Sequence, residues 1–147
     1  MEFNIPKSLK LEHEELHAEL VKATRAGGKI GDSAKAVANI LHPHFIKEEE
    51  YALPPLGLLS PLAEGKITQE MRDVLDLTDK MKAELYQMLN EHRAIVVALE
   101  NLIDVAKKEN RMEYVRFAEK LMLHAQNEEE ILYPATILIG EYLRLRM

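Results

Sequence analysis

The 147-residue sequence contains no cysteine and no tryptophan. Without cysteine there is no disulfide framework, thiolate zinc site, iron-sulfur cluster or cysteine nucleophile, so any metal has to be held by histidine and carboxylate donors. Positive charge is also scarce: 19 Lys and Arg stand against 25 Asp and Glu, a formal net charge of -6. That balance lacks the basic stripe of a nucleic-acid surface and does not favour anionic lipid. No stretch approaches the roughly 18 uninterrupted apolar residues of a membrane span, and the N-terminus shows no apolar signal region. Aromatics make up 5% of the residues, too few to support a Tyr and Trp relay for electron transfer. The expectation is one acidic, cytoplasmic domain over residues 1–147, with no nucleic-acid or membrane partner. Six histidines remain to be explained.

Alternating strand patterns are missing as well, while apolar residues recur at helical spacing almost throughout, so the fold class is all-α. A first helix is expected from Ser8 as N-cap to Gly27 and Gly28, with Leu9, His13, Leu16, His17 and Leu20 on one face. A second should run from Asp32 or Ser33 to about Tyr51, bent where Pro43 removes a backbone donor. Pro54, Pro55 and Pro61 forbid a regular helix from Leu53 to Gly65, a segment unusually apolar for a loop. From Thr68 to about Asn110 the pattern is helical, either kinked near Asp76 to Asp79 or one long rod. A fourth helix should extend from Arg111 to about Ile131 and end at Pro134. The apolar stretch from Ala135 to Met147 is expected to dock on the bundle or on a second subunit.

An internal repeat organises the histidines. Glu12-His13 opens the first copy, followed by His44-Phe45-Ile46-Lys47-Glu48-Glu49-Glu50 and Pro54. Glu91-His92 opens the second, followed by His124-Ala125-Gln126-Asn127-Glu128-Glu129-Glu130 and Pro134. His44 to His124 and Glu48 to Glu128 are both shifts of 80, and His13 to His92 is 79. Two such helix pairs suggest a bundle of approximate two-fold symmetry. On a helix, positions four apart lie about 40° apart around the axis and about 6 Å along it, so each His and Glu pair can grip one site. A single pair is often only a surface hydrogen bond; two copies in matching positions point to metal. Four buried histidines satisfied by backbone or water are the alternative. It costs about 1 to 3 kcal/mol for each unpaired polar group and more for ionised carboxylates. Bound cations remove most of that cost, and bundles build such sites from inward side chains on facing helices.

These residues, with Leu132-Tyr133-Pro134 after the second pair, resemble the hemerythrin-like HHE cation-binding domains from Leu9 to Pro134. The resemblance implies an antiparallel four-helix bundle with a short C-terminal helix, around a non-haem di-iron centre. By position, His13, His44, His92 and His124 would be terminal nitrogen ligands, and Glu48 and Glu128 would bridge the metals. Oxygen-carrying members have a further His one turn before His92, where this sequence has Met88. They also end with a His and an Asp five apart, whereas His124 and Glu128 are four apart. This arrangement is closer to the branch that includes sensing and iron-handling domains.

Imidazoles with carboxylates suit iron first, with manganese or zinc as alternatives. Two divalent ions bring a charge of about +4 against two carboxylates, so a bridging oxo or hydroxo group would complete the set. That donor count leaves roughly two open positions, where a small molecule would bind. His17, one turn from His13, is either an extra ligand or a core histidine beside the ligands; its counterpart Val96 favours the second. His42 is expected to point away. Glu49, Glu50, Glu129 and Glu130 are expected as solvated or outer charges, and Met81, Met88, Met112 and Met122 as core. Tyr51, Tyr86 or Tyr133 could donate a hydrogen bond near the site. The function expected is binding of dioxygen or nitric oxide for sensing, storage or detoxification. The alternatives are a di-iron enzyme, acting as peroxidase, oxidase or iron donor for repair, and a metal-stabilised interaction module. A homodimer could form through the C-terminal helix or the Leu56 to Leu62 loop.

Overall fold

In the computed structural model, which describes residues 3–147, Pro6 turns the chain into helix α1, Lys7–Thr24. Its φ of -51° already suits a helix entry, and no side chain caps this end. Ser8, expected as the cap, lies inside the first turn. Gly27, at a φ of 75° that a side chain would resist, reverses the chain directly into α2, Gly28–Lys47. Gly28 follows at a φ of 58°, and the two glycines together explain why α2 begins before Asp32. Pro43 lies inside α2 without ending it.

Beyond Lys47 the helix widens into a π turn, Glu48–Ala52. The prolines then impose a 3-10 segment, Pro54–Leu58, and a short helix α3, Leu59–Ala63. A second 3-10 segment, Gln69–Val74, leads into α4, Leu75–Lys108, one rod of 34 residues, the second of the two expected forms. Asn110 takes a φ of 56° in the turn to α5, Met112–Asn127; asparagine tolerates that conformation better than most residues. A second π turn, Glu128–Leu132, follows, and α6 covers Tyr133–Arg146.

Pro134, expected to end the fourth helix, follows the end of α5 at Asn127 and leaves the path helical from the π turn into α6. It lies in the first turn of α6, where a missing backbone donor costs nothing. Each π turn begins at the Glu of a His and Glu pair, so the repeat in the sequence is a repeat in backbone geometry. Such turns insert an extra residue in a helix and recur at functional sites.

Helices α1, α2, α4 and α5 form an all-helical four-helix bundle, with α1 against α2 and α5, and α4 against α2 and α5. Its larger core joins Leu16, Leu20, Val37, Leu41, Leu99 and Leu121. A second core at the other end joins Leu53, Leu56, Leu58, Val74, Ile139 and Leu143. Thus the apolar loop and the C-terminal helix cover each other within one chain, while Leu138 and Leu145 on α6 stay exposed. A third cluster, Tyr51, Met81, Met88 and Tyr133, brings the aromatic and methionine side chains together. Met112 is exposed rather than core. No helix among the described residues is long and apolar enough to cross a membrane.

Candidate metal centre

Among the described residues, nine buried polar or charged ones interrupt this apolar interior, and six of them are His13, His44, Glu48, His92, His124 and Glu128. They come from α1, α2, α4 and α5 and the two π turns, so all four bundle helices contribute. Glu48 is fully buried and Glu128 is 1% exposed. Two ionised carboxylates in such a place demand compensating charge.

The four imidazoles turn their Nε2 atoms toward these carboxylates. His44 Nε2 lies 3.5 Å from Glu48 Oε2, and His13 Nε2 lies 3.6 Å from Glu48 Oε1. His92 Nε2 is 3.2 Å from Glu128 Oε1, while His124 and His13 approach Glu128 Oε2 at 3.2 and 3.4 Å. Each carboxylate thus offers its two oxygens to different histidines. One donor atom from each of His44, Glu48, His92 and Glu128 falls within a 4.8 Å cluster; His13, His124 and Glu128 form another. Glu128 belongs to both, so one carboxylate joins the two groups that could hold a cation.

Three of the four opposite ring nitrogens are held by outer carboxylates. His44 Nδ1 donates to Glu91 at 2.7 Å, His92 Nδ1 to Glu129 at 2.9 Å, and His124 Nδ1 to Glu12. Glu49 lies 3.8 Å from His13 Nδ1. A carboxylate accepting from Nδ1 fixes the tautomer whose bare Nε2 faces inward, and raises its basicity toward a metal. The sequence had already placed Glu12 and Glu91 immediately before His13 and His92, but gave them no role. Helical spacing explains the exchange: each Glu points a step around the helix and serves the histidine of a neighbouring helix. The His13 ring is also stacked on Phe45, with centroids 4.3 Å apart.

Electrostatics follow from this geometry. Burial, then the charge of Glu128, pushes Glu48 up to about 7. Burial acts on Glu128 the same way, but bonds from Glu48, His124, His13 and His92 outweigh it and hold it well below the usual range. Of the two carboxylates, Glu48 is therefore the one that protonates first as pH falls. Burial disfavours the charged form of His44, yet its bond to Glu48 and the surrounding carboxylates raise it to about 9. His124 rises to about 9 against the same penalty, through Glu128 first.

Tyr133 is the functional residue that spacing alone did not single out from Tyr51 and Tyr86. Its fully buried hydroxyl donates to Glu48 Oε2 at 2.6 Å and lies 3.0 Å from His92 Nε2 and 3.1 Å from His44 Nε2. Burial, then Glu48 and Glu128, keeps the phenol far above its ordinary value. Tyr51 instead donates to Met88 Sδ at 3.5 Å, and Tyr86 is exposed.

The expectation that His17 shares the inward face of His13 fails. His17 is exposed, on the outer flank of α1, and its ring lies 6.1 Å from that of the equally exposed His42 on α2. Its position beyond the buried stripe of Leu16 and Leu20 removes it from the cluster. Glu50 and Glu130 are exposed as expected.

The donor set fits hard or borderline cations that take nitrogen and oxygen, such as iron, manganese or zinc. Three buried atoms, His13 Nδ1, Glu48 Oε1 and His124 Nε2, have no hydrogen-bond partner. Orphaned buried polar atoms are rare and costly, and two of these three face the shared interior where a cation would satisfy them. No curated protein and no solved structure gives a significant match to this chain. A family model does: that of the Hemerythrin HHE cation binding domain, over residues 4–136.

Proposed function

The chain belongs to the hemerythrin HHE cation-binding family, and from that premise we propose that it is a di-iron protein that reversibly binds dioxygen or nitric oxide. The observation that carries this reading is the convergence of four Nε2 atoms on two carboxylates that each face more than one histidine. His44 and His92 would hold one ion, His13 and His124 the other, with Glu48 and Glu128 spanning both. The irons would supply the redox-active, Lewis-acidic positions for a diatomic ligand. The protein's part is to hold the imidazoles in one tautomer through Glu12, Glu91 and Glu129, and to exclude bulk water with Phe45, Met88 and the Leu53 to Leu58 segment. A bridging oxo or hydroxo group fits the charge left over after two carboxylates. No cysteine and no second domain lie within this sequence to relay electrons, which favours binding over turnover.

The test is iron analysis of the purified chain together with optical spectra after anaerobic reduction and after admission of air or nitric oxide. Two irons per chain and a spectrum that changes with the gas are expected. A redox-silent spectrum in a chain carrying two irons overturns gas binding. Steady peroxide consumption would move the assignment to an enzyme. His44→Ala and Glu48→Ala should both lose iron; full iron content in either refutes the ligand set.

A further inference from the structure

We propose that Tyr133 closes one of the two ion positions, so that an exogenous small ligand binds only at the position between His13 and His124. This rests on the dinuclear reading above and adds an inequality between its halves. The ligand set repeats faithfully: His44 with Glu48 matches His124 with Glu128, and His13 matches His92. The residue that closes each π turn does not repeat, being Leu53 after the first and Tyr133 after the second. Leu53 brings no polar atom and packs in the second core with Leu56 and Leu143. Tyr133 brings a hydroxyl to the carboxylates.

The position of that hydroxyl is specific. It lies 2.6, 3.1 and 3.0 Å from Glu48 Oε2, His44 Nε2 and His92 Nε2. Donors that neighbour one another around an ion with bonds of about 2.1 Å are separated by roughly 3 Å. The phenol oxygen is therefore spaced as one more donor around the ion that those three side chains would hold. No tyrosine approaches His13 or His124 in this way among the described hydrogen bonds.

The opposite half is under-satisfied and reachable. The unpartnered atoms Glu48 Oε1 and His124 Nε2 lie there. A surface cavity of about 670 Å³ between α1 and α5, with Leu11, Glu12, Leu16 and Leu123 in its wall, reaches His124. A second, of about 240 Å³, includes Phe45, Ile46 and Glu49 and reaches His13. Access thus lies on one side, and the tyrosine stands on the other. Binding of nitric oxide there would break no bond and would need no external oxidant or reductant, since the molecule would enter and leave as nitric oxide.

Nitric oxide counts the open positions. The full chain, loaded with two ferrous ions without oxygen, is titrated with nitric oxide, and ferrous-nitrosyl is quantified by electron paramagnetic resonance and absorbance. One equivalent per chain is expected. Tyr133→Phe, which keeps the ring and removes the oxygen, and Tyr133→Leu, which restores the repeat, should each bind two for every pair of irons retained. Two equivalents in the unaltered chain overturn the proposal, whether or not the variants fold. One equivalent in both variants, with both irons retained, also overturns it. A chain that does not take up paired irons overturns the dinuclear reading itself and this inference with it, before any nitric oxide is added.

Discussion

Replacing Glu91 by Gln should weaken metal retention about tenfold through a residue that touches no metal. Glu91 is fixed from three directions: His44 Nδ1 at 2.7 Å, Lys47 Nζ at 2.6 Å and Gln87 Nε2 at 3.0 Å. Burial opposes its charge, but the bonds from Lys47, His44 and Gln87 prevail and lower it to about 2. It is therefore a carboxylate at every pH at which the centre can form. Glutamine keeps an acceptor for His44 Nδ1 but loses the charge. A charge-assisted bond contributes about 1.5–3 kcal/mol and a neutral one about 0.5–1.5, so the loss is about 1–1.5 kcal/mol. Glu91→Ala leaves the ring unanchored, and the expected loss approaches a hundredfold. Glu12 plays the same part for His124, but its side chain is 42% exposed against 16% for Glu91. Water can replace more of the contact there, so Glu12→Gln should cost less than Glu91→Gln. Competition with a chelator of known affinity measures both. Unchanged affinity in Glu91→Gln, or a larger loss in Glu12→Gln, would refute the idea that carboxylates on Nδ1 tune the ligands.

Three further outcomes follow from the same geometry. Metal present at a thousandfold excess over its Kd should stabilise the chain by about 4 kcal/mol, raising Tm by about 8–16 °C relative to chelator-treated protein; coincident calorimetric transitions would contradict a metal-satisfied interior. His44 and His124, raised to about 9, hold protons at pH 7 in the metal-free chain, whereas ligation requires neutral rings. Loading at pH 7 should release protons to an indicator dye and weaken as pH falls. By the same sign, the metal-free chain keeps this ion-pair stability below pH 6.5 and loses it as pH rises through about 9, visible as a falling Tm. Finally, an added Cβ at Gly140 on α6 would meet Thr78 Oγ1 at 2.2 Å and Thr78 Cβ at 2.7 Å on α4. Gly140→Ala should destabilise by about 2 kcal/mol in urea titration, since overpacking outweighs about 1 kcal/mol of helix propensity; a stabilised variant would show that the two helices do not approach so closely.

The buried cluster of four histidines and two glutamates was legible because it is written twice, at a spacing that helix geometry interprets directly. The helical class and the burial of Met81 and Met88 were legible from periodicity for the same reason. What periodicity could not show is where the period changes. At Glu48 and Glu128 each helix takes in an extra residue, which alters the facing of everything downstream and carries Tyr133 into the centre. The missing backbone donor of Pro134 instead suggests an ending. His17 was misplaced by the converse error. It falls at a helical spacing from His13 that permits an inward position, but neighbouring helices cover only part of α1, and Leu16 and Leu20 occupy the covered stripe. The exchange of Glu12 and Glu91 between helices was hidden because it is a tertiary relation, visible in sequence only as the adjacency of Glu and His.

The two carboxylates join parts of the chain that are far apart in sequence. His13 and Glu128, 115 residues apart, meet at 3.4 Å, and an ion between them would tie the first helix to the last π turn. In a chain with no cysteine, such an ion acts as a topological clasp over most of the polypeptide. A covalent bridge closing a loop of about 100 residues removes roughly 4.7 kcal/mol of chain entropy from the unfolded state. A clasp of this kind would open to chelators and acid while remaining indifferent to thiols. Neither half of the repeat, expressed alone, would hold the complete set of donors for either ion.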